Sequence, residues 1–208
     1  MRQAPWRELK YLWWFPVYLA VYLLCEHLVT TDYLPTQTAA DAWIPFCEWF
    51  VFPYCLWYPL LIAVGLWLLN RDRETFRRYT DHLAATFLTS AVLWLLLPNG
   101  QDLRPLFLPR DNPAIRVVDL LYSIDTNTNV LPSVHVVGSV CAAAAVQRTN
   151  SLSSKRVIRF AVCLLAALIC LSTLFIKQHA LLDVLAGLVL ALLTLPIVYA
   201  HWQKQHRA

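Results

Sequence analysis

The residues Ser172-Thr173-Leu174-Phe175-Ile176-Lys177-Gln178-His179-Ala180-Leu181-Leu182-Asp183 place a short polar knot between two uncharged apolar runs, 160–176 and 184–203. Each run approaches the roughly 17–25 largely apolar residues that carry a helix across a bilayer. Between them the chain has only a few residues in which to reverse, so the two runs read as consecutive spans of opposite direction with His179 and Asp183 at the turn. Working outward, the same pattern recurs. Uncharged runs cover 11–25, 49–70 and 83–101, and a shorter one covers 130–147.

The composition agrees with this reading. Of 208 residues, 59% are hydrophobic and 14% are charged. A soluble domain is about half apolar and a quarter charged, so this chain needs lipid as part of its solvent. The expected fold class is an all-α, polytopic membrane helical bundle of about six transmembrane helices, forming one domain over residues 1–208. The spans are placed at 10–28, 49–70, 82–97, from Pro132 onward, 157–176 and 180–202. Pro53 and Pro59 are expected to kink the second. Pro98-Asn99-Gly100 reads as the turn that ends the third, and Pro132 as the first helical residue of the fourth. Residues 113–122 carry helical periodicity in Ile115, Val118, Leu121 and Tyr122, which suggests a short surface helix. His27 and His82 fall at expected span ends. The start of the chain resembles a signal peptide but lacks a small-residue cleavage site. Trp13, Trp14 and Phe15 read instead as an interfacial anchor of a retained first span.

The net charge of +4 matters less than its placement. Of the 17 Lys and Arg, all but Arg104, Arg110, Arg116 and Lys177 lie at the two termini or in the 71–78 and 148–159 loops. That alternation gives no nucleic-acid patch. By the positive-inside rule it places both termini in the cytoplasm. Arg104, the start of span four and the His179 turn then share the outer side. The six cysteines have no Cys-x-x-Cys spacing, and most lie in apolar runs as small hydrophobes.

Four residues apart on a helix, His179 and Asp183 share one face. An ionisable group in a span costs roughly 2.5–3.5 kcal/mol on insertion scales, and a carboxylate beside the ring offsets part of that. The carboxylate also fixes the tautomer, leaving the other ring nitrogen as a lone pair able to attack. A helix-joining contact would use the same pair. The tetrapeptide Pro132-Ser133-Val134-His135 sits at a helix start, where free N–H groups suit a phosphate. Ser133 adds a hydroxyl, although an ordinary serine cap reads the same way. Arg104, before Pro105, could hold phosphate oxygens bidentately or be a solvated loop residue.

Together, in this order, these blocks resemble the type 2 phosphatidic-acid phosphatase superfamily. That family's pattern is Lys-x6-Arg-Pro, Pro-Ser-Gly-His and Ser-Arg-x5-His-x3-Asp. Here the Lys position is Leu97, the Gly is Val134 and the Arg is Thr173. The degenerate pattern looks closer to the branch related to inositol phosphorylceramide synthase, which transfers a phosphoryl head group to an alcohol. The resemblance implies a membrane lipid phosphatase or phosphotransferase working through a phosphohistidine, on the outer face of a bacterial-type plasma membrane. It implies catalytic roles for His179, His135 and Asp183, and substrate-phosphate contacts from Arg104, Ser133 and Lys177. The expected partners are a lipid phosphate substrate and membrane lipids, with no nucleic acid. No cofactor and no metal are expected, because the one carboxylate of the set already serves His179. A transporter or structural membrane protein is the rival class, and an intramembrane serine protease using Ser133 is a second.

Overall fold

The computed structural model describes residues 5–108 and 110–205; Arg2, His206 and Arg207 lie outside them. Eight helices follow in chain order: α1 (Trp14–Leu28), α2 (Val51–Cys55), α3 (Trp57–Arg71), α4 (Arg73–Leu96), α5 (Pro113–Ile124), α6 (Val134–Arg148), α7 (Arg156–Phe175) and α8 (Leu181–Gln205). Every apolar run is helical over most of its length. Glu48–Arg71, Arg156–Phe175 and Leu181–Ala200 are long and apolar enough to cross a membrane, whereas Val134–Arg148 is apolar but shorter.

The shortness of α6 has a packing reason. Its 15 residues span about 22 Å at 1.5 Å each, and it lies against α3, α4, α7 and α8. Gly138, Ser139, Cys141, Ala142, Ala144 and Ala145 are all buried. Small side chains let the neighbouring backbones approach, as they do in membrane bundles, so α6 has little lipid face to make apolar. A Cβ on Gly138 would stand 2.8 Å from Trp57 Nε1. Gly138→Val therefore has to displace a buried indole, an overpacking that costs about 1–3 kcal/mol. The expected result is a lowered thermal unfolding midpoint in detergent; an unchanged midpoint would show that the indole yields freely. The outward faces are apolar instead: Phe160, Leu164 and Leu171 on α7, and Leu185, Val189 and Leu193 on α8, are exposed.

Several expected boundaries shift for identifiable reasons. α4 starts nine residues before the expected span because Asp72 caps it, its carboxylate accepting the Thr75 N–H at 3.0 Å. His82 is therefore not at a span end. It is fully buried, with Nε2 3.0 Å from the Ala191 carbonyl of α8. The second run breaks at Leu56, between its prolines, since Pro59 has no N–H to give the Cys55 carbonyl. Pro132 precedes the helix instead of opening it, and Ser133 is the N-cap of α6. Trp14 is core, packed 5.6 Å from Phe87, so only its neighbours Trp13 and Phe15 face outward. Asn99-Gly100 is not a turn but β2, paired in parallel with β1 (Leu34–Pro35). Gly100 permits this because a Cβ there would be 2.7 Å from the Tyr33 ring.

The charges separate to the two ends of the bundle. The loops after α3 and α6 meet where Thr149 Oγ1 donates to Asp72 Oδ2 at 2.7 Å, and the arginines of both loops gather there. At the opposite end lie β1, β2, α5 and the α7–α8 connector. Helix α5 is capped by Asn112, whose Oδ1 accepts the Ile115 N–H at 2.9 Å, with Pro113 at its first position. It covers the connector, and Tyr122 donates to the Ile176 carbonyl at 2.6 Å.

Candidate active site

The α7–α8 connector is held by its own backbone. The N–H groups of Gln178 and His179 both donate to the Thr173 carbonyl, at 3.0 and 3.1 Å, and Lys177 adopts φ 55° to turn the chain. Asp183 closes the other side, with Oδ2 accepting the Ala180 N–H at 2.7 Å. The same oxygen lies 3.5 Å from His179 Nδ1, beyond hydrogen-bonding length but on the side expected of an orienting carboxylate. Asp183 also ties two helices together, because its carbonyl accepts the Ser133 N–H at 3.1 Å. That bond sets the start of α6 against the first turn of α8.

His135 stands in the first turn of α6. Its ring stacks on Tyr54 at 4.3 Å and packs on Trp57 at 4.4 Å. The His179 ring lies edge-on to it with centroids 5.7 Å apart. The two imidazoles, 44 residues apart in the chain, thus share one wall of a cavity of about 600 Å³. Its far end is apolar, with Leu12, Phe15, Leu66 and Leu69; its near end carries His135, His179, Gln178, Asp125, Glu26 and Asn129. No group of three or more His, Cys, Asp or Glu poised to hold a metal occurs among the described residues.

The three residues expected to contact phosphate lie behind this wall, each engaged with protein groups. Arg104 donates to the carbonyls of Tyr122, Asp125 and Thr126 and to Gln178 Oε1, at 2.5–3.3 Å, and it stacks on the Tyr122 ring. Burial lowers its pKa from the ordinary arginine value, and the neighbouring Asp125 opposes that shift. Lys177 donates its ammonium to the carbonyls of Asp41 at 3.1 Å and Ile44 at 2.5 Å, and burial lowers its pKa as well. Ser133 is fully buried, its hydroxyl accepting the Val136 N–H at 3.4 Å. A serine held this way is a poor nucleophile for the protease reading. In this structure all three side chains are thus hydrogen-bonded to protein groups, mostly main chain, that border the cavity.

Sequence reasoning missed Asp125, the residue after α5. Its carboxylate accepts from Gln178 Nε2 at 3.1 Å, Tyr54 at 3.3 Å and Tyr22 at 3.4 Å. Burial raises its pKa above the ordinary carboxylate value, with His179 and Arg104 opposing the shift. Asp41 was missed too, although its Oδ1 accepts the Leu181 N–H at 2.7 Å and so caps α8. Asp125 has no spacing signal, since its partners lie far off in sequence; Asp41 has only the local Thr38-x-x-Asp41 capping pattern, which does not point to α8. Tyr54 and Trp57 read as membrane aromatics until the fold sets them on His135.

A family model described as PAP2 superfamily matches residues 78–207, more than half of the chain and all of α6, α7 and α8. No curated protein and no solved structure matches it.

Proposed function

Because the chain belongs to the PAP2 superfamily, an integral-membrane helical family of phosphoric ester hydrolases and phosphotransferases, we propose that it moves a phosphoryl group from a lipid phosphate ester by way of a phosphohistidine. The observation that carries this reading is the pair of imidazoles, His135 and His179, 5.7 Å apart in one cavity with Asp183 behind the second. Asp183 sits on the Nδ1 side of His179, which leaves Nε2 to attack phosphorus. The long Nδ1–carboxylate contact shortens as charge develops on the ring, a common tightening at catalytic hydrogen bonds.

In this reading His135 protonates the leaving oxygen and then takes the proton of the incoming water or alcohol. The Val134 and His135 N–H groups, in the first turn of α6, have no helical acceptor and meet the non-bridging oxygens, the electrostatic contribution that dominates such transfers. Ser133 holds that turn in place. Arg104 fixes Gln178 and the 125–126 carbonyls, and Lys177 fixes the loop carrying Asp41, so both serve the phosphate through the cavity wall. Six helices cross the bilayer, with the basic loops in the cytoplasm and the histidines at the opposite face.

The test is a panel of lipid phosphates with purified protein, scoring free phosphate against transferred head group. Turnover of at least one lipid is expected. Orthovanadate, which imitates five-coordinate phosphorus, is expected to inhibit at millimolar concentration or below. A protein that turns over none of the lipids, or that ignores vanadate, would not be a phosphohistidine enzyme.

A further inference from the structure

The cavity that holds the two histidines is charged the wrong way for a bare phosphate. Asp125 and Glu26 both line it, and among its described lining residues there is no Lys or Arg. The donors on these carboxylates are neutral. Asp125 accepts from Tyr22, Tyr54 and Gln178, and Glu26 from the Thr126 hydroxyl at 2.6 Å and the Asn129 amide at 2.9 Å. Arg104 reaches the Asp125 carbonyl, not its carboxylate. Asn129, 5% exposed, lines the same end of the cavity, and its Oδ1 has no hydrogen-bond partner. A buried lone acceptor calls for a donor. Around these groups stand the rings of Tyr22, Tyr54, Tyr58 and Trp94, whose faces attract cations. A phosphomonoester dianion entering here meets two carboxylates, whereas a zwitterion brings its own counter-charge.

We propose that the polar end of the cavity takes the ammonium group of a zwitterionic phosphodiester lipid, with Asp125 as the carboxylate that selects it and Glu26 and Asn129 Oδ1 as further acceptors. The acyl chains lie toward Leu12, Phe15, Leu66 and Leu69. An ammonium beside Asp125 favours the ionised carboxylate against the burial that disfavours it. With such a substrate, His179 Nε2 bonds to phosphorus as the bond from phosphorus to the glycerol oxygen breaks, and His135 gives that oxygen a proton. Water or an acceptor alcohol then displaces His179 from phosphorus, its proton passes to His135, and the amine-bearing head group leaves with the phosphoryl. The chemical step rests on the proposed function; the ammonium site does not.

Binding and turnover separate the two. Purified full-length protein in detergent is titrated with phosphocholine, phosphoethanolamine and inorganic phosphate, following tryptophan fluorescence. At least one of the amine esters is expected to bind about tenfold tighter than phosphate, the scale of one desolvated cation–π and ion-pair contact. Asp125→Asn is expected to erase the preference and Glu26→Gln to reduce it. Phosphate binding as tightly as both amine esters overturns the inference from wild type alone, whether or not a variant folds. In vesicles, the ratio of phosphatidylethanolamine to phosphatidate turnover is expected to fall about tenfold in Asp125→Asn. Phosphatidate as the sole substrate overturns the inference and leaves the proposed function standing. A binding preference without turnover of either lipid supports the ammonium site and sinks the transfer reaction.

Discussion

His179→Ala removes lipid-phosphate turnover, on the order of 10⁴-fold or more, as loss of a nucleophile does where the rest of a site survives. The protein still inserts and folds. The connector around His179 is shaped by main chain, through the bonds from Gln178 and His179 to the Thr173 carbonyl, and an alanine keeps both. Asp183 keeps its bond from the Ala180 N–H, so α8 remains capped. What disappears is one ring at the cavity wall. The measurement is turnover of the best lipid of the panel, beside membrane extraction and gel filtration of the variant. Full activity in a well-folded His179→Ala protein would remove the assigned nucleophile, and capture of a radiolabelled phosphoryl group on wild type but not on the variant would place it on this ring.

A transporter would distribute ionisable groups along a path through the bundle. Here they concentrate at one end: Asp125, Glu26, His135 and His179 share the polar part of one cavity whose remainder is apolar. Buried ionisable groups elsewhere include Glu8, paired with Arg77, and His82, which lies between α4 and α8 with its Nε2 held by the Ala191 carbonyl and Thr194. The His82 contact joins two helices rather than forming a link in a conduit. The cavity also has a chemical asymmetry that suits a lipid, with acyl-sized apolar lining at one end and the histidines at the other.

The helices were legible because lipid imposes apolar runs of a minimum length, and the turn at His179 because a polar knot interrupts two of them. The i, i+4 spacing paired His179 with Asp183, and they lie 3.5 Å apart, but His179 stands in the connector before α8 rather than on that helix's face. The charge alternation likewise reappears as two ends of the bundle. What sequence did not carry was the direction of long side chains. Arg104 lies near the site but donates to the carbonyls of Tyr122, Asp125 and Thr126, which only the fold brings beside it. Asp125 shows the same limit: an acidic residue after a short helix reads as solvated loop until Tyr22, Tyr54 and Gln178 enclose it. The cavity itself is shared between chain regions. The family match covers α6, α7 and α8, which bring the histidines, but the Tyr22, Glu26, Tyr54 and Trp57 wall comes from residues before 78. Substrate selection is therefore expected to reside largely in the part of the chain that the family pattern does not describe.

His135→Ala separates the acid from the nucleophile by the leaving group it is asked to protonate. An alkoxide leaving from a lipid phosphate is strongly basic, so a positioned acid contributes about 10²–10⁴-fold, and the variant is expected to lose that much on the lipid. A p-nitrophenyl ester needs no proton to depart, because its phenolate is stable near neutral pH. On that ester the formation of the phosphohistidine is expected to be close to wild type, while its hydrolysis stays slow for want of a base. A burst of p-nitrophenolate, about one per protein, followed by slow turnover is the expected signature. The ring has little structural role beyond its stack between Tyr54 and Trp57, and His135→Phe keeps that stack, so it should show the same burst. Equal losses on both esters, with no burst in either variant, would make His135 a binding group and leave the proton to another residue, for which Asp125 in the same cavity is a candidate.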